Sequence, residues 1–337
     1  MYKHKGCMNG TNLGHWLSQY GNKSDEHFST YITEADIAKI AAAGMDHVRL
    51  PVDYWMFESD ENPGVYDEKR VAYIDNLVEW CRKNGLTVVL DLHRAPGFFF
   101  GDGDKNCLFT DEKMQERFLQ IWRFFAKRYQ DNPTIVFELL NELVTEDVAP
   151  WNDLWQRAVK VIREISPERD IIVGGNYWNS VTELKNLTIS DDPHVFYTFH
   201  FYLPMMFTHQ RAGWMKEMVA YRTPVEYPFN GNDHAAFWHG NVPEDMNHVI
   251  DKNYLREKLQ PAFEFIEKNH RPLYCGEFGV IANADIESQK RWYADVIDLF
   301  GEAGIGHAVW SWRGFASVTD EKNEIIDPEM VKILARE

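Results

Sequence analysis

The stretch TIVFELLNELV, Thr134 to Val144, sets Glu138, Asn141 and Glu142 in a run otherwise suited to the interior of a sheet. A buried carboxylate is costly unless it is paired or hydrogen-bonded. These side chains are therefore either ions with hidden partners or groups set at a strand end for chemistry. Other apolar runs end in the same way. His47–Pro51 carries Arg49, and Leu86–Leu92 leads through Asp91 to His93. TFHFY offers His200 and Tyr202, two apart and so on one face of a strand. YCGEFG offers Glu277, and AVWSW offers Trp310. Two glutamates on different strands, facing each other across a bond, can divide acid and nucleophile roles if one is kept protonated and the other ionised. Arg49 and Tyr202 suit the task of holding a carboxylate ionised and aimed. Asn141 can bind a hydroxyl, and Trp310 offers a flat apolar face to a sugar ring. Each residue alone has a structural reading: Glu142 as a buried ion pair, Glu277 as part of a tight GEFG turn, His93 and Trp310 as core. Their shared position at the carboxyl ends of apolar runs favours one site. Glu138 lies four residues before Glu142, deeper in the strand, and is expected to be structural, paired to an arginine inside the fold.

The elements that must position these groups alternate along the chain. Strands are expected at Gly10–Gly14, His47–Pro51, Leu86–Leu92, Thr134–Glu142, Asp170–Gly174, Val195–Tyr202, Leu273–Glu277 and Gly306–Trp310. Helical patterns cover Thr33–Ala43, Asp67–Asn84, Asp111–Tyr129, Trp151–Ser166, Val181–Asn186, Tyr254–Asn269, Ile286–Ala303 and Pro328–Arg336. Thr33 and Asp36 have the spacing of a helix start, and Gly44, Gly85 and Gly304 stand where helices should end. Eight strands each followed by a helix predict an α/β fold, a (β/α)8 TIM barrel, in which all strand ends converge on one mouth. A doubly wound sheet is the alternative, but GTNLGHW after the first strand is no GxGxxG. The chain, 1–337, reads as a single catalytic domain with a subdomain inserted at 203–253 after strand six. That connection is far longer than the ~2–6 residues usual for a βα loop. It is rich in aromatic and methionine residues, including Trp214, Tyr221, Tyr227, Phe229, Phe237 and Trp238. It predicts a satellite core, a wall or lid over the site, or both.

A net charge of −17 argues against nucleic acid, whose phosphates need a basic surface. No apolar run approaches the ~20 residues that span a bilayer, so no membrane partner is expected. The N-terminal MYKHKGCMNGTNLG has no apolar core of a signal peptide. Cys7, Cys81, Cys107 and Cys275 lie far apart without metal spacing and read as unpaired thiols. This fits a cytoplasmic protein, and a trimmed secretion signal would leave the same sequence, so localisation stays open. DGDKN, Asp102 to Asn106, opens like a calcium loop but lacks its glycine and its final glutamate. His234 and His239 in HAAFWHG lack the HExxH spacing, and strand one has no HxH. No metal or other cofactor is expected.

HVRLPVDYW, VVLDLHRAPG, FELLNE, FHFYLP, YCGEFGV and AVWSW, in this order, resemble glycoside hydrolase family 5, the cellulase family. NLGHWLSQY, FTHQ and LYCGEFGVIANAD most resemble its single-domain endoglucanase C type. The resemblance implies Glu142 as acid/base and Glu277 as nucleophile, with Arg49 and Tyr202 on the nucleophile. It implies that Asn141 takes the 2-hydroxyl of the sugar at the cleaved bond and His93 another hydroxyl. His200 would support the acid/base, and Trp310 would lie under the ring. It implies retention of configuration, with the carboxyl groups ~5–5.5 Å apart rather than the ~6.5–9.5 Å of inverting enzymes. The expected substrate is β-1,4-glucan or mixed-linkage β-1,3/1,4-glucan, as polysaccharide or oligosaccharide, cleaved internally. A mannanase or exo-acting β-glucosidase on the same scaffold is the nearest alternative, and a non-catalytic carbohydrate-binding barrel the alternative of another class. Trp178 is a further substrate-binding candidate; Trp16, Tyr20 and Phe98 to Phe100 rank below it.

Overall fold

Eight of the apolar runs form strands, and every one lies where the alternation placed it. They are β1 (Asn9–Asn12), β2 (His47–Asp53), β3 (Thr87–Arg94), β4 (Ile135–Glu138), β5 (Ile171–Gly174), β6 (Val195–Phe201), β7 (Leu273–Phe278) and β8 (Gly306–Val309). The structure, a computed structural model, describes residues 6–238 and 246–336. Residues 1–5 of the N-terminal stretch, His239 with the rest of 239–245 in the insertion, and Glu337 lie outside the described residues. All eight strands pair in parallel, and β8 returns to β1 to close the barrel.

Strand alternation sorts side chains into two environments. Val89, Val136, Ile172, Phe196, Tyr274 and Ala308 form an apolar cluster with Cys7 inside the barrel. The other faces pack against the helices in one continuous outer core. Two residues further along the inward rows come Asp91, Glu138, Gly174, Thr198 and Gly276, so a polar layer sits directly above the apolar one. Arg49, in register with Val89, belongs to the same inner face.

The connecting helices are Glu34–Ala42, Glu68–Asn84, Glu112–Arg128, Ala149–Arg163, Lys252–Asn269, Ile286–Ala303 and Pro328–Leu334. Their ends follow the expected signals. The Asp36 carboxylate accepts from the Thr33 backbone N–H at 2.8 Å, closing the first turn. Gly44, Gly85 and Gly304 take φ of +90°, +70° and +73°, the left-handed exit that glycine adopts without cost. Val181–Asn186, expected as a helix, is a 3₁₀ turn. Among the described residues no helix is long and apolar enough to cross a membrane. The four cysteines are unpaired.

The insertion after β6 is a string of short elements: Met205–Thr208, Lys216–Ala220, a two-stranded pairing of Phe229–Asn230 with Val249–Ile250, and turns between them. The separate satellite core expected for it is not formed by its described residues. Met206, Phe207, Met218, Tyr227, Met246 and Ile250 join the outer core of the barrel itself. Tyr227 donates its hydroxyl to Asp295 at 2.8 Å, and Trp292 donates Nε1–H to the Leu203 carbonyl at 3.1 Å. The described part of the insertion is thus fastened along the helix Ile286–Ala303.

Barrel closure leaves no room at Gly306, where an added Cβ would stand 2.0 Å from the Cys7 carbonyl oxygen. Gly306→Ala should therefore destabilise the protein by about 1–3 kcal/mol, as overpacking does. Gly21→Ala, where nothing lies within 4 Å, should change stability by less than about 0.5 kcal/mol. Urea unfolding of the two variants beside the wild type checks the difference.

Candidate active site

At the carboxyl end of the barrel one guanidinium organises the polar layer. Arg49, fully buried, donates Nε–H and Nη2–H to the two oxygens of Glu138, at 2.7 and 2.9 Å. Its Nη1 donates to Glu277 at 2.8 Å and to Asn12 at 3.0 Å. Its Nη2 also donates to Asn141 at 2.8 Å and lies 3.1 Å from Asp91. The expected arginine partner of Glu138 is therefore the same residue that holds Glu277. Such forked, charge-assisted bonds fix geometry as well as charge.

Two backbone irregularities bring the remaining groups to this layer. The ladder of β4 ends at Glu138, not at Glu142 as the apolar run suggested. The chain continues with Leu139 N–H donating to the Ile172 carbonyl and Asn141 N–H to the Leu92 carbonyl, at 3.1 and 3.2 Å. Glu142 then takes φ +42°. Asn141 and Glu142 are consecutive, yet both side chains reach the site, which regular alternation forbids. The second irregularity is a bulge between β6 and β7: Phe199 pairs with Cys275, but His200 pairs with Glu277. Gly276 and Glu277 together oppose His200, and the bulge aims Glu277 inward. A Cβ on Gly276 would stand 3.0 Å from Thr198 Oγ1 and 3.2 Å from His200 Nε2, so only glycine fits this bulge undisturbed.

The result is a compact acid pair. One carboxylate oxygen of Glu142, one of Glu277 and a ring nitrogen of His200 all lie within 4.8 Å of one another. Tyr202 donates its hydroxyl to Glu277 at 2.8 Å. Burial, then the Glu277 charge, keeps this phenol protonated by pushing its pKa well above the ordinary value. His200 Nδ1 lies 2.9 Å from Glu142 Oε1. Burial pushes the Glu142 carboxyl up to about 7, against the opposing pull of His93 and Arg49. Burial also lowers His200 to about 4, so the ring is neutral at neutral pH. Asp91, buried beside Arg49, is raised to about 7 by the same desolvation. Four carboxylates surround one guanidinium, and the two raised ones relieve the excess negative charge by holding a proton.

The sequence-predicted residues Arg49, His93, Asn141, Glu142, His200, Tyr202 and Glu277 are all brought together. His93 donates Nδ1–H to Asp91 at 2.7 Å, and its Nε2 accepts from Gln19 at 2.8 Å. Trp310 reaches the same mouth with its ring nearly parallel to that of His93 at 5.9 Å, but only 3% of it is exposed. Trp178 lies on the loop after β5, half exposed, with its backbone N–H donated to the Leu143 carbonyl at 3.2 Å. Trp16 and Phe98 are core; Trp16 donates Nε1–H to the Phe28 carbonyl at 2.8 Å. Tyr20 packs edge-on against Phe28 at 5.0 Å, and Phe99 faces the Arg94 guanidinium at 3.4 Å. Of the rejected metal motifs, 103–105 is a 3₁₀ turn and His234 shares a hydrogen bond with the Tyr221 hydroxyl at 2.7 Å.

Sequence reasoning missed Asn12, Gln19, Asn179, Thr208 and His209. Asn12 donates to the Gly276 carbonyl at 2.9 Å and supports the bulge. Thr208 donates to the Tyr202 carbonyl and shares a 3.0 Å bond with His209. The His209 ring meets Tyr202 edge-on at 5.1 Å. The insertion thus braces the tyrosine that binds Glu277. Asn12 ends β1 and the others lie in loops and short turns; none follows an apolar run of the kind that made the strand-end residues visible.

Every exposed aromatic ring among the described residues lies on a loop of this same face. Trp55 follows β2, Tyr177 and Trp178 follow β5, Trp214 lies in the insertion after β6, and Phe315 follows β8. Trp214 and Phe315 touch, with ring centroids 4.6 Å apart.

Comparison with known proteins agrees with this arrangement. The profile described as Cellulase (glycosyl hydrolase family 5) matches residues 8–316. Endoglucanase C of Acetivibrio thermocellus is 48% identical over 334 residues, 97% of each chain. Cellodextrinase A of Ruminococcus flavefaciens is 36% identical over 94% of this chain and 89% of its own. Among solved structures, Cel5A of Thermotoga maritima in complex with mannotriose superposes with a TM-score of 0.78 at 27% identity, over 97% of both chains. With its catalytic-face carboxylates, its closed barrel and these relatives, the chain belongs to glycosyl hydrolase family 5, the cellulase family.

Proposed function

We propose that the protein, an endo-β-glucanase by its family and relatives, is a retaining enzyme that hydrolyses β-1,4-glucan and mixed-linkage β-1,3/1,4-glucan. The observation that carries the mechanism is the approach of Glu142 and Glu277 to within 4.8 Å. That approach of one oxygen from each supports the ~5–5.5 Å between carboxyl groups of a retaining enzyme over the ~6.5–9.5 Å that makes room for an inverting enzyme's water. In the first step Glu277, held by Arg49 and Tyr202, attacks the anomeric carbon. Glu142, protonated through burial, gives its proton to the departing glycosidic oxygen. Forming the ester removes the negative charge of Glu277, which favours ionised Glu142 for the second step. Glu142 then takes a proton from water as that water attacks the anomeric carbon and releases Glu277.

Internal cleavage is supported by the exposed aromatic rings. They are spread around the mouth on loops after β2, β5, β6 and β8, so apolar sugar faces can stack on more than one side of the acid pair. The mannotriose complex of the Thermotoga maritima relative keeps mannan as the second reading. Products from mixed-linkage β-glucan, carboxymethyl cellulose, laminarin and mannan decide among them. Short oligosaccharides from the first two are expected. Glucose alone would make the enzyme exo-acting, and release only from mannan would make it a mannanase.

Glu142→Ala should lower kcat on polysaccharide by roughly 10²–10⁴-fold, the usual contribution of a general acid. Formation of the glycosyl-enzyme from an aryl glucoside with an acidic phenol, which needs no proton, should be far less affected. A pre-steady-state burst on that substrate measures it; equal loss on both substrates would remove Glu142 from the acid role.

Because the carboxyl of Glu142 is raised to about 7, the acid form is present below that pH and lost above it. The kcat/KM of the wild type on polysaccharide should therefore fall as pH rises through about 7. The limb should be absent in Glu142→Gln, which separates it from the titration of Asp91.

A further inference from the structure

The loop after β5 contains three consecutive left-handed residues that are not glycine: Tyr177, Trp178 and Asn179, at φ +47°, +57° and +53°. β-region or helical backbone would be ordinary there, so something holds this turn. Its outcome is the placement of one side chain. The Asn179 amide is buried and lies over Gly174, where a Cβ would come within 2.4 Å of Asn179 Oδ1. Asn179 Nδ2 is 3.3 Å from His200 Nε2. The next residue, Ser180, forms a parallel bridge with His200. On the far side of the ring, His200 Nδ1 faces Glu142 at 2.9 Å. A neutral imidazole carries one proton, so whichever nitrogen accepts determines that the other donates.

We propose that Asn179 is a positioning residue: by donating Nδ2–H to His200 Nε2 it fixes the tautomer whose Nδ1–H is aimed at Glu142. This rests on the reading of Glu142 as the acid/base. The His200 N–H occupies Oε1, which leaves the catalytic proton on Oε2. Glu142 therefore meets the substrate in one protonated geometry. Without the amide, Nε2 could take the proton and Nδ1 would accept from the Glu142 hydroxyl, tying up the proton that the leaving group needs. Asparagine suits the position twice, since it tolerates left-handed backbone and carries the donor. Among the described residues its buried Oδ1 has no partner, so the amide's bond there is the one to the ring.

The charged and titratable groups facing His200 and Glu142 come from all sides. They are Arg49 from β2, Asp91 and His93 from β3, Glu138 from β4, Tyr202 after β6 and Glu277 from β7. None of them changes in the test, which alters only the partner of Nε2. Asn179→Asp puts an acceptor there, so the ring gains a proton, becomes cationic beside Glu142 and favours the ionised acid. The alkaline limb of kcat/KM on polysaccharide should move down by about one pH unit. Asn179→Gly keeps the backbone conformation and removes the donor; its limb should stay or move up. Both variants should lose roughly tenfold in kcat on polysaccharide, a part of what general acid catalysis contributes. Both should keep near-wild-type bursts on the aryl glucoside with an acidic phenol. Limbs that move together, or equal losses on both substrates, would overturn the proposal and leave Asn179 a structural residue. Glu142→Gln, run beside them, separates the failures: if it shows no leaving-group dependence, the reading of Glu142 fails first.

Discussion

The catalytic face depends on how Arg49 satisfies its five N–H donors. A guanidinium with no exposure needs every donor bonded, and its hydrogen bonds and its ion pair with Asp91 together reach four other strands. Glu138 ties β4, Glu277 ties β7, Asn12 ties β1, Asp91 ties β3, and Asn141 ties the segment that carries Glu142. The barrel interior below this layer is buried and mostly apolar, with His47 Nε2 sharing a 2.9 Å bond with the Tyr274 hydroxyl, so the ions sit where water cannot screen them. Breaking such a network by removing one partner costs several kcal/mol, whereas its net contribution to stability when intact is small. Its effect is in placement: one rigid cation decides where the carboxylates stand.

The same cation divides the work between them. It bonds Glu277 directly, and acts on Glu142 by its charge and through a bond to the neighbouring Asn141. Glu277 also receives the Tyr202 hydroxyl, while Glu142 receives a neutral histidine and a dry surround. Two glutamates of one type thus differ in environment, and environment rather than residue type distinguishes the roles proposed for them. The insertion takes part through Thr208 and His209, which brace Tyr202 from behind.

The fold was legible because most strands, β2, β3, β4, β6 and β7 among them, combine an apolar run with a polar residue at or just past its carboxyl end, and because the helices carry clear caps. That Arg49 and Tyr202 suit holding a carboxylate was legible for the same reason; that this carboxylate is Glu277 was implied by the family resemblance. Three features were not legible. The slip between Glu138 and Asn141 breaks alternation inside a run whose residues look uniform, so Glu142 seemed to extend the strand. The bulge at Gly276 looked like a simple turn, because what requires glycine there is His200 and Thr198 from another strand. The insertion seemed to hold a core of its own, since its aromatic residues give no sign of which neighbour they cover; the helix Ile286–Ala303 is that neighbour. All three are tertiary decisions, made by residues distant in sequence.

The left-handed backbone at Glu142 sets selection on the fold against selection on the chemistry. Glycine or asparagine would adopt φ +42° with less strain than glutamate. Drift toward stability therefore pushes this position away from the side chain that the proposed acid/base role needs. Descendants freed from the need to cleave glycans would be expected to lose this glutamate early and become sturdier barrels as they did so.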